Sequence, residues 1–194
     1  MNAHSPTLPA DIQRRTFTVR DIELMVEAGI IAERERIELI FGELIRMNPK
    51  GIRHETIKML MMLRFARLRP PDVLFIPETT FRLSPDTYIE PDFVVFPGQA
   101  GVAGLTAASA LLAIEIADSS LAFDLGAKAE VYAYFGIREL WVVDATADQI
   151  HVHRKPEDGR YTEIATFGSD DLVTPAEAPA AFALRLSELE AEAR

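Results

Sequence analysis

Three ionisable residues stand where ordinary core packing would not put them. Glu115 is the single charge inside the apolar run LLAIEIA (residues 111–117), which reads as a strand buried on both faces. A carboxylate there is costly unless a cation or hydrogen-bond donors meet it. Its period-two neighbours, Ala113 and Ala117, leave room for such a partner. Asp92 follows Pro91 and opens a second apolar run, FVVF, on the same face as Val94 and Phe96. Lys128 heads a helical stripe with Val131, Tyr132 and Phe135, so it points inward and needs an anion. Two carboxylates, the backbone carbonyl of Ile116 and water oxygens form a donor set for Mg²⁺ or Mn²⁺. With a lysine beside them, they suggest metal-dependent phosphodiester hydrolysis.

Each residue also has a plainer reading. Glu115 suits a structural salt bridge, Asp92 suits a turn cap, and Lys128 suits a side chain that snorkels out or pairs with Asp124. His54 and Glu43 are further candidates. His54 heads a basic helix, where a neutral imidazole could assist a water or a phosphate. Glu43 and Glu38 bracket a hairpin, and either fits an exposed strand position. No P-loop, GxSxG, HExxH or dinucleotide fingerprint occurs, so NTPase, serine hydrolase, zincin and nicotinamide chemistry lose their usual support.

The elements that must position these groups are legible in outline. Residues 1–15 read as a loose arm and 16–194 as one domain. Thr18 to Asp21 makes a capping box for a helix that Gly29 ends. Residues 37–47 form a hairpin turning at Phe41-Gly42, and residues 54–68 form a helix that Pro70-Pro71 terminates. Strands follow over 73–78, 79–83 and 88–96, then the Glu115 strand, a continuous helix over 121–135 and a strand over 139–144. A hairpin over 149–167 closes at Glu157-Asp158-Gly159, and a short acidic helix ends the chain. This order gives an α/β fold with a mixed sheet flanked by helices.

At 194 residues, 48% of them hydrophobic and 26% charged, the chain has enough apolar content for one globular core. No apolar run reaches membrane-spanning length, no signal-like segment opens the chain, and cysteine is absent, so a cytoplasmic location is expected. The net charge of −10 opposes strong non-specific binding to nucleic acid. Against that, residues 46–69 carry seven bases and one acid, a net +6 that reads either as a phosphate-contacting patch or as a solvated helix face.

The strings IELIFGELIRMNP, RHETI, IEPDFVVF, LLAIEIADSS and DLGAKAEVYAYFGIRELWVVD resemble the Uma-two family of restriction-endonuclease-like proteins, within the PD-(D/E)XK nuclease superfamily. The resemblance runs over roughly residues 17–154. It implies a restriction-endonuclease-like fold, with Pro91-Asp92 as the PD and Glu115 as the second acid. Ala117 stands where the usual lysine would, and Lys128 is similar to a lysine migrated to the following helix. The implied activity is a Mg²⁺- or Mn²⁺-dependent endonuclease acting on DNA, with Asp92, Glu115 and Ile116 at the metal and Lys128, Glu43 and His54 around it. The rival is a non-catalytic nucleic-acid or protein-binding module on the same scaffold.

Double-strand cleavage by so small a unit calls for a two-fold homodimer. Size exclusion with light scattering checks this: the expected mass is twice the chain's 21.6 kDa, and a strict monomer counts against it.

Overall fold

The hairpin over residues 37–47 forms as β1 (Ile37–Ile40) and β2 (Glu43–Arg46). Phe41 and Gly42 both take positive φ, 49° and 78°, as a two-residue turn between right-twisted strands requires. The structure, a computed structural model, describes residues 15–192, so the arm expected over 1–15 lies outside the described residues except for Arg15. Helix α1 (Val19–Glu27) starts at the anticipated capping box, with Thr18 and Asp21 hydrogen-bonding each other's backbone N–H. Helix α2 (Ile52–Leu68) begins two residues earlier than expected, from Gly51.

Beyond α2 run β3 (Val73–Pro77), β4 (Phe81–Ser84), β5 (Thr87–Ile89) and β6 (Phe93–Pro97). The single strand expected over 88–96 is therefore two strands. Pro91 has no N–H to give a ladder, and the chain leaves one sheet at Ile89 and joins another at Phe93. Asp92 sits in that crossing. One four-stranded sheet has the order β2-β1-β5-β4. The second contains β7 (Leu112–Ala117), β8 (Glu139–Asp144), β9 (Gln149–Glu157) and β10 (Arg160–Phe167), in the order β10-β9-β8-β7-β6-β3. Only β7 and β8 pair in parallel among these six, so the second sheet is mixed, and the fold class is the α/β arrangement expected.

The β7–β8 crossover departs from the continuous helix expected over 121–135. A single turn α3 (Leu121–Phe123) runs into a π-helical segment, Asp124–Lys128, before α4 (Ala129–Tyr134). Gly126 is the break, with φ −103° and ψ −108°, a geometry outside the helical region. Residues 149–167 make the expected hairpin, turning on Asp158 and Gly159 at φ 49° and 77°.

Alternation along the strands divides the core. Ile114, Ile116, Val95, Trp141 and Val143 face α2 and the C-terminal helix α5 (Leu186–Glu192). Ala113, Ala117, Val94, Leu140 and Val142 face α4 together with Phe81 and Ile89 of the four-stranded sheet. Glu115 projects to this second side, where the two sheets and α4 meet. No described helix is long and apolar enough to cross a membrane.

Gly42 tests the hairpin. A Cβ there would collide with Thr16 as well as carry a φ of +78°. Gly42→Ala is expected to cost about 1–3 kcal/mol in urea-induced unfolding, and a neutral result would show that the turn relaxes freely.

Candidate active site

β7 places Glu115 and the Ile116 backbone on opposite tasks. Ala117 turns its carbonyl toward β8, where it accepts from Ala145 N–H at 2.8 Å. By strand alternation Ile116 faces the other way, and its N–H donates to Asp92 Oδ2 at 2.8 Å. In an extended strand the N–H and carbonyl of one residue share an edge, so the Ile116 carbonyl lies on the edge away from β8. The Glu115 side chain leaves perpendicular to this plane, between the small Ala113 and Ala117, and is 4% exposed.

Lys128 meets it. The ammonium lies 2.9 Å from Glu115 Oε1 and 2.8 Å from Glu38 Oε1, and the residue is 1% exposed. The snorkelling alternative is thereby excluded. Tyr132, one turn further along the same helix face, donates its hydroxyl to Glu115 Oε1. Asp124, within the π-helical segment, is buried and accepts from Ser120 Oγ at 2.5 Å. Asp92 is 3% exposed: besides the Ile116 N–H, its Oδ2 meets His54 Nε2 at 3.0 Å, and its Oδ1 accepts from Lys50 Nζ at 2.6 Å.

The electrostatics follow from this acid-rich packing. Burial pushes the Glu115 carboxyl up to about 8; Lys128 opposes that, while Asp124, Asp92 and Glu38 add to it. Burial works against the charge on Lys128, yet Glu115, Glu38 and Asp124 together hold its pKa above the ordinary lysine value. Burial alone would raise Asp92, but the His54 hydrogen bond and the Lys50 charge outweigh it and bring it down to about 2. One carboxyl is thus poised to keep a proton near neutrality, while the other stays ionised.

A cleft reaches this cluster. It is lined by Asp92, Glu115, Ile116, His54, Lys50 and Asp124 among others, with ≈ 40 Å³ of free volume. That is room for an ion and a water or two, not for a nucleotide. Among the described residues no group of three or more His, Asp or Glu side chains is arranged to hold a metal. A divalent ion here would take Asp92, Glu115, the Ile116 carbonyl and water. All are hard oxygen donors of the kind Mg²⁺ accepts, so the residues fit.

Of the residues singled out in the sequence, Asp92, Glu115, Ile116, Lys128 and His54 converge, and Glu43 does not. It is exposed on β2 and does not line the cleft; the acid of that hairpin that reaches the cluster is Glu38, 0% exposed. β1 lies between β2 and β5, whereas β2 is an edge strand, and only the pairing with β5 decides which glutamate is covered. Tyr132 stands on the inward stripe with no chemical part assigned by the sequence, although a buried tyrosine hydroxyl needs a partner. The basic segment is also altered by the fold. Lys50, Arg53 and Lys58 pair with Asp92, Asp148, Glu55 and Glu78, while Arg64 and Arg69 bond the carbonyls of Ala183 and Val73.

The Uma2 family model, described as a putative restriction endonuclease, matches residues 16–187. A crystal structure described as a putative nuclease belonging to DUF820 from Anabaena variabilis superposes with a TM-score of 0.68 at 17% identity, covering 90% of this chain and 98% of that one. The search of curated proteins found no match.

Glu115 sets a pH signature. An acid whose pKa rises from 4.5 in the unfolded chain to about 8 binds its proton more tightly in the native state, so stability falls as pH climbs through that window. Urea unfolding at several pH values should show this slope, at most about 1.4 kcal/mol per pH unit, and Glu115→Gln should flatten it. An unchanged slope would show that the carboxyl is ionised throughout. Asp92 works in the opposite sense: its stabilisation is lost as pH falls below about 4 toward 2.

Proposed function

The chain belongs to the Uma2 family, and from that premise we propose that it is a divalent-metal-dependent endonuclease hydrolysing phosphodiester bonds in DNA. The observation that carries this reading is the convergence of Asp92 and Glu115 at the floor of one cleft, with Lys128 buried behind it on Glu115. Asp92, Glu115 and the Ile116 carbonyl would hold Mg²⁺ or Mn²⁺. When bound, the ion supplies Lewis-acid chemistry, polarising a phosphoryl oxygen and lowering the pKa of water.

The chain's own residues do the rest. His54 and the Ile116 N–H fix the position of Asp92, and His54 with Lys50 keeps it ionised. Lys128 and Tyr132 lock Glu115 into one orientation, so no side-chain reorganisation accompanies the reaction. Lys128, buried behind Glu115, offsets the negative charge of that carboxylate from the side away from the cleft. Water adds to phosphorus and one P–O ester bond breaks, leaving one phosphate-bearing end and one hydroxyl end. Glu38 holds Lys128 in place and takes no direct part. Glu43 receives no role.

One observation favours the second reading, a non-catalytic nucleic-acid or protein-binding module. Three of the seven bases over 46–69, Lys50, Arg53 and Lys58, pair with the chain's own carboxylates, which weakens the segment as a DNA-contacting surface.

Supercoiled plasmid incubated with Mg²⁺ or Mn²⁺ separates the two. Wild type is expected to nick or linearise it, and Asp92→Asn and Glu115→Gln to lose about 10²-fold or more in rate. Equal cleavage by the variants would remove the assignment. Retention of DNA by wild type without metal and without cleavage would favour the binding module.

A further inference from the structure

Asp92 already has a cation on it. Lys50 Nζ sits 2.6 Å from Asp92 Oδ1 and 2.5 Å from Glu78 Oε1, so one ammonium bridges two carboxylates. The bridge runs inward from the surface: side-chain exposure falls from 44% at Glu78 to 14% at Lys50 and 4% at Asp92. Anything that reaches Asp92 from solvent along this line meets Lys50 first.

The two ends of the bridge differ in rigidity. Asp92 is pinned by the Ile116 N–H and by His54, both fixed in regular elements. Lys50 belongs to the irregular connection between β2 and α2, on a long flexible side chain. At the outer end, Glu78 takes φ +49°, a left-handed conformation uncommon for glutamate, and its carboxylate also binds Lys58 at 3.0 Å. Glu78 is thus a fixed acceptor just outside the cleft, held there whether or not Lys50 keeps its contact with Asp92.

We propose that Lys50 is a displaceable internal cation: it neutralises Asp92 in the metal-free chain, gives way there to an incoming divalent ion, and retracts onto Glu78. This rests on the reading that Asp92 and Glu115 hold a metal. A buried carboxylate without a counter-ion is costly, so the same oxygen that must bind Mg²⁺ or Mn²⁺ needs a substitute beforehand. A lysine supplies one that competes with the metal without blocking it. Lys50 is then a positioning residue whose removal strengthens metal binding, the reverse of what loss of a metal-supporting group would do.

Calorimetric titration of Mn²⁺ alone into the full chain tests this. Lys50→Met is expected to bind Mn²⁺ about tenfold more tightly than wild type, because the ion no longer displaces a charge-assisted hydrogen bond. Lys50→Arg keeps the competing charge and should stay near wild type, which separates competition from a change in folding. Glu78→Gln removes the acceptor for the retracted ammonium, so it should weaken Mn²⁺ binding in the wild-type background and have no effect beside Lys50→Met. Equal or weaker binding by Lys50→Met overturns the proposal while leaving the metal reading intact. Absence of Mn²⁺ binding in every variant overturns both.

Discussion

The contact on which the site depends is the ammonium of Lys128 held between Glu38 and Glu115. It joins three parts of the fold: β1 of the four-stranded sheet, β7 of the six-stranded sheet and the crossover between β7 and β8. None of these groups reaches water to any useful extent, so none is satisfied unless all three are in place. Such a triad is a weak source of net stability, because desolvation offsets most of the attraction. It does penalise any arrangement that shifts one sheet against the other. A hydrophobic trio would tolerate a sliding interface here, and this one does not.

The π-helical segment answers the same demand. Lys128 must point at Glu115 while Val131 and Tyr132 keep packing against the sheet, and Asp124 must remain within reach of Ser120. Gly126 absorbs the mismatch by leaving helical geometry. A regular helix over the same residues was the natural reading of the sequence, since the stripe from Lys128 to Phe135 is periodic and nothing upstream of it forbids a helix. What the pattern does not carry is the position of the acids on the other elements, which is what bends the segment.

The same division explains how much of the site was legible. Asp92, Glu115 and Lys128 each violate a local rule, an acid in an apolar strand or a lysine on an apolar stripe, and local rules are what a sequence displays. Glu38 violates nothing locally. Glu38 and Glu43 occupy equivalent-looking places before Leu-Ile pairs, and the buried one is selected by a strand, β5, that lies more than forty residues further on. The strand expected over 88–96 failed for a related reason: Pro91 was visible, but that the chain changes sheets there depends on both sheets existing. For residues 46–69 the sequence shows the charges but not their partners, and Asp92, Asp148 and Glu78 all come from outside the segment.

That internal pairing bears on how a polyanion could approach. The cleft floor combines Asp92, Glu115 and Asp124, with Glu38 just behind and Lys50 already engaged on Asp92, in a chain whose net charge is −10. Phosphate is repelled from such a floor unless cations intervene, and Lys128 is enclosed with two carboxylates of its own. A divalent ion changes the sign of the local problem: it neutralises acids that otherwise repel substrate, and it removes the burial-driven preference of Glu115 for its proton. The acidic cleft is therefore a liability for a protein that grips DNA unaided, and an appropriate floor for one in which metal and phosphate arrive together.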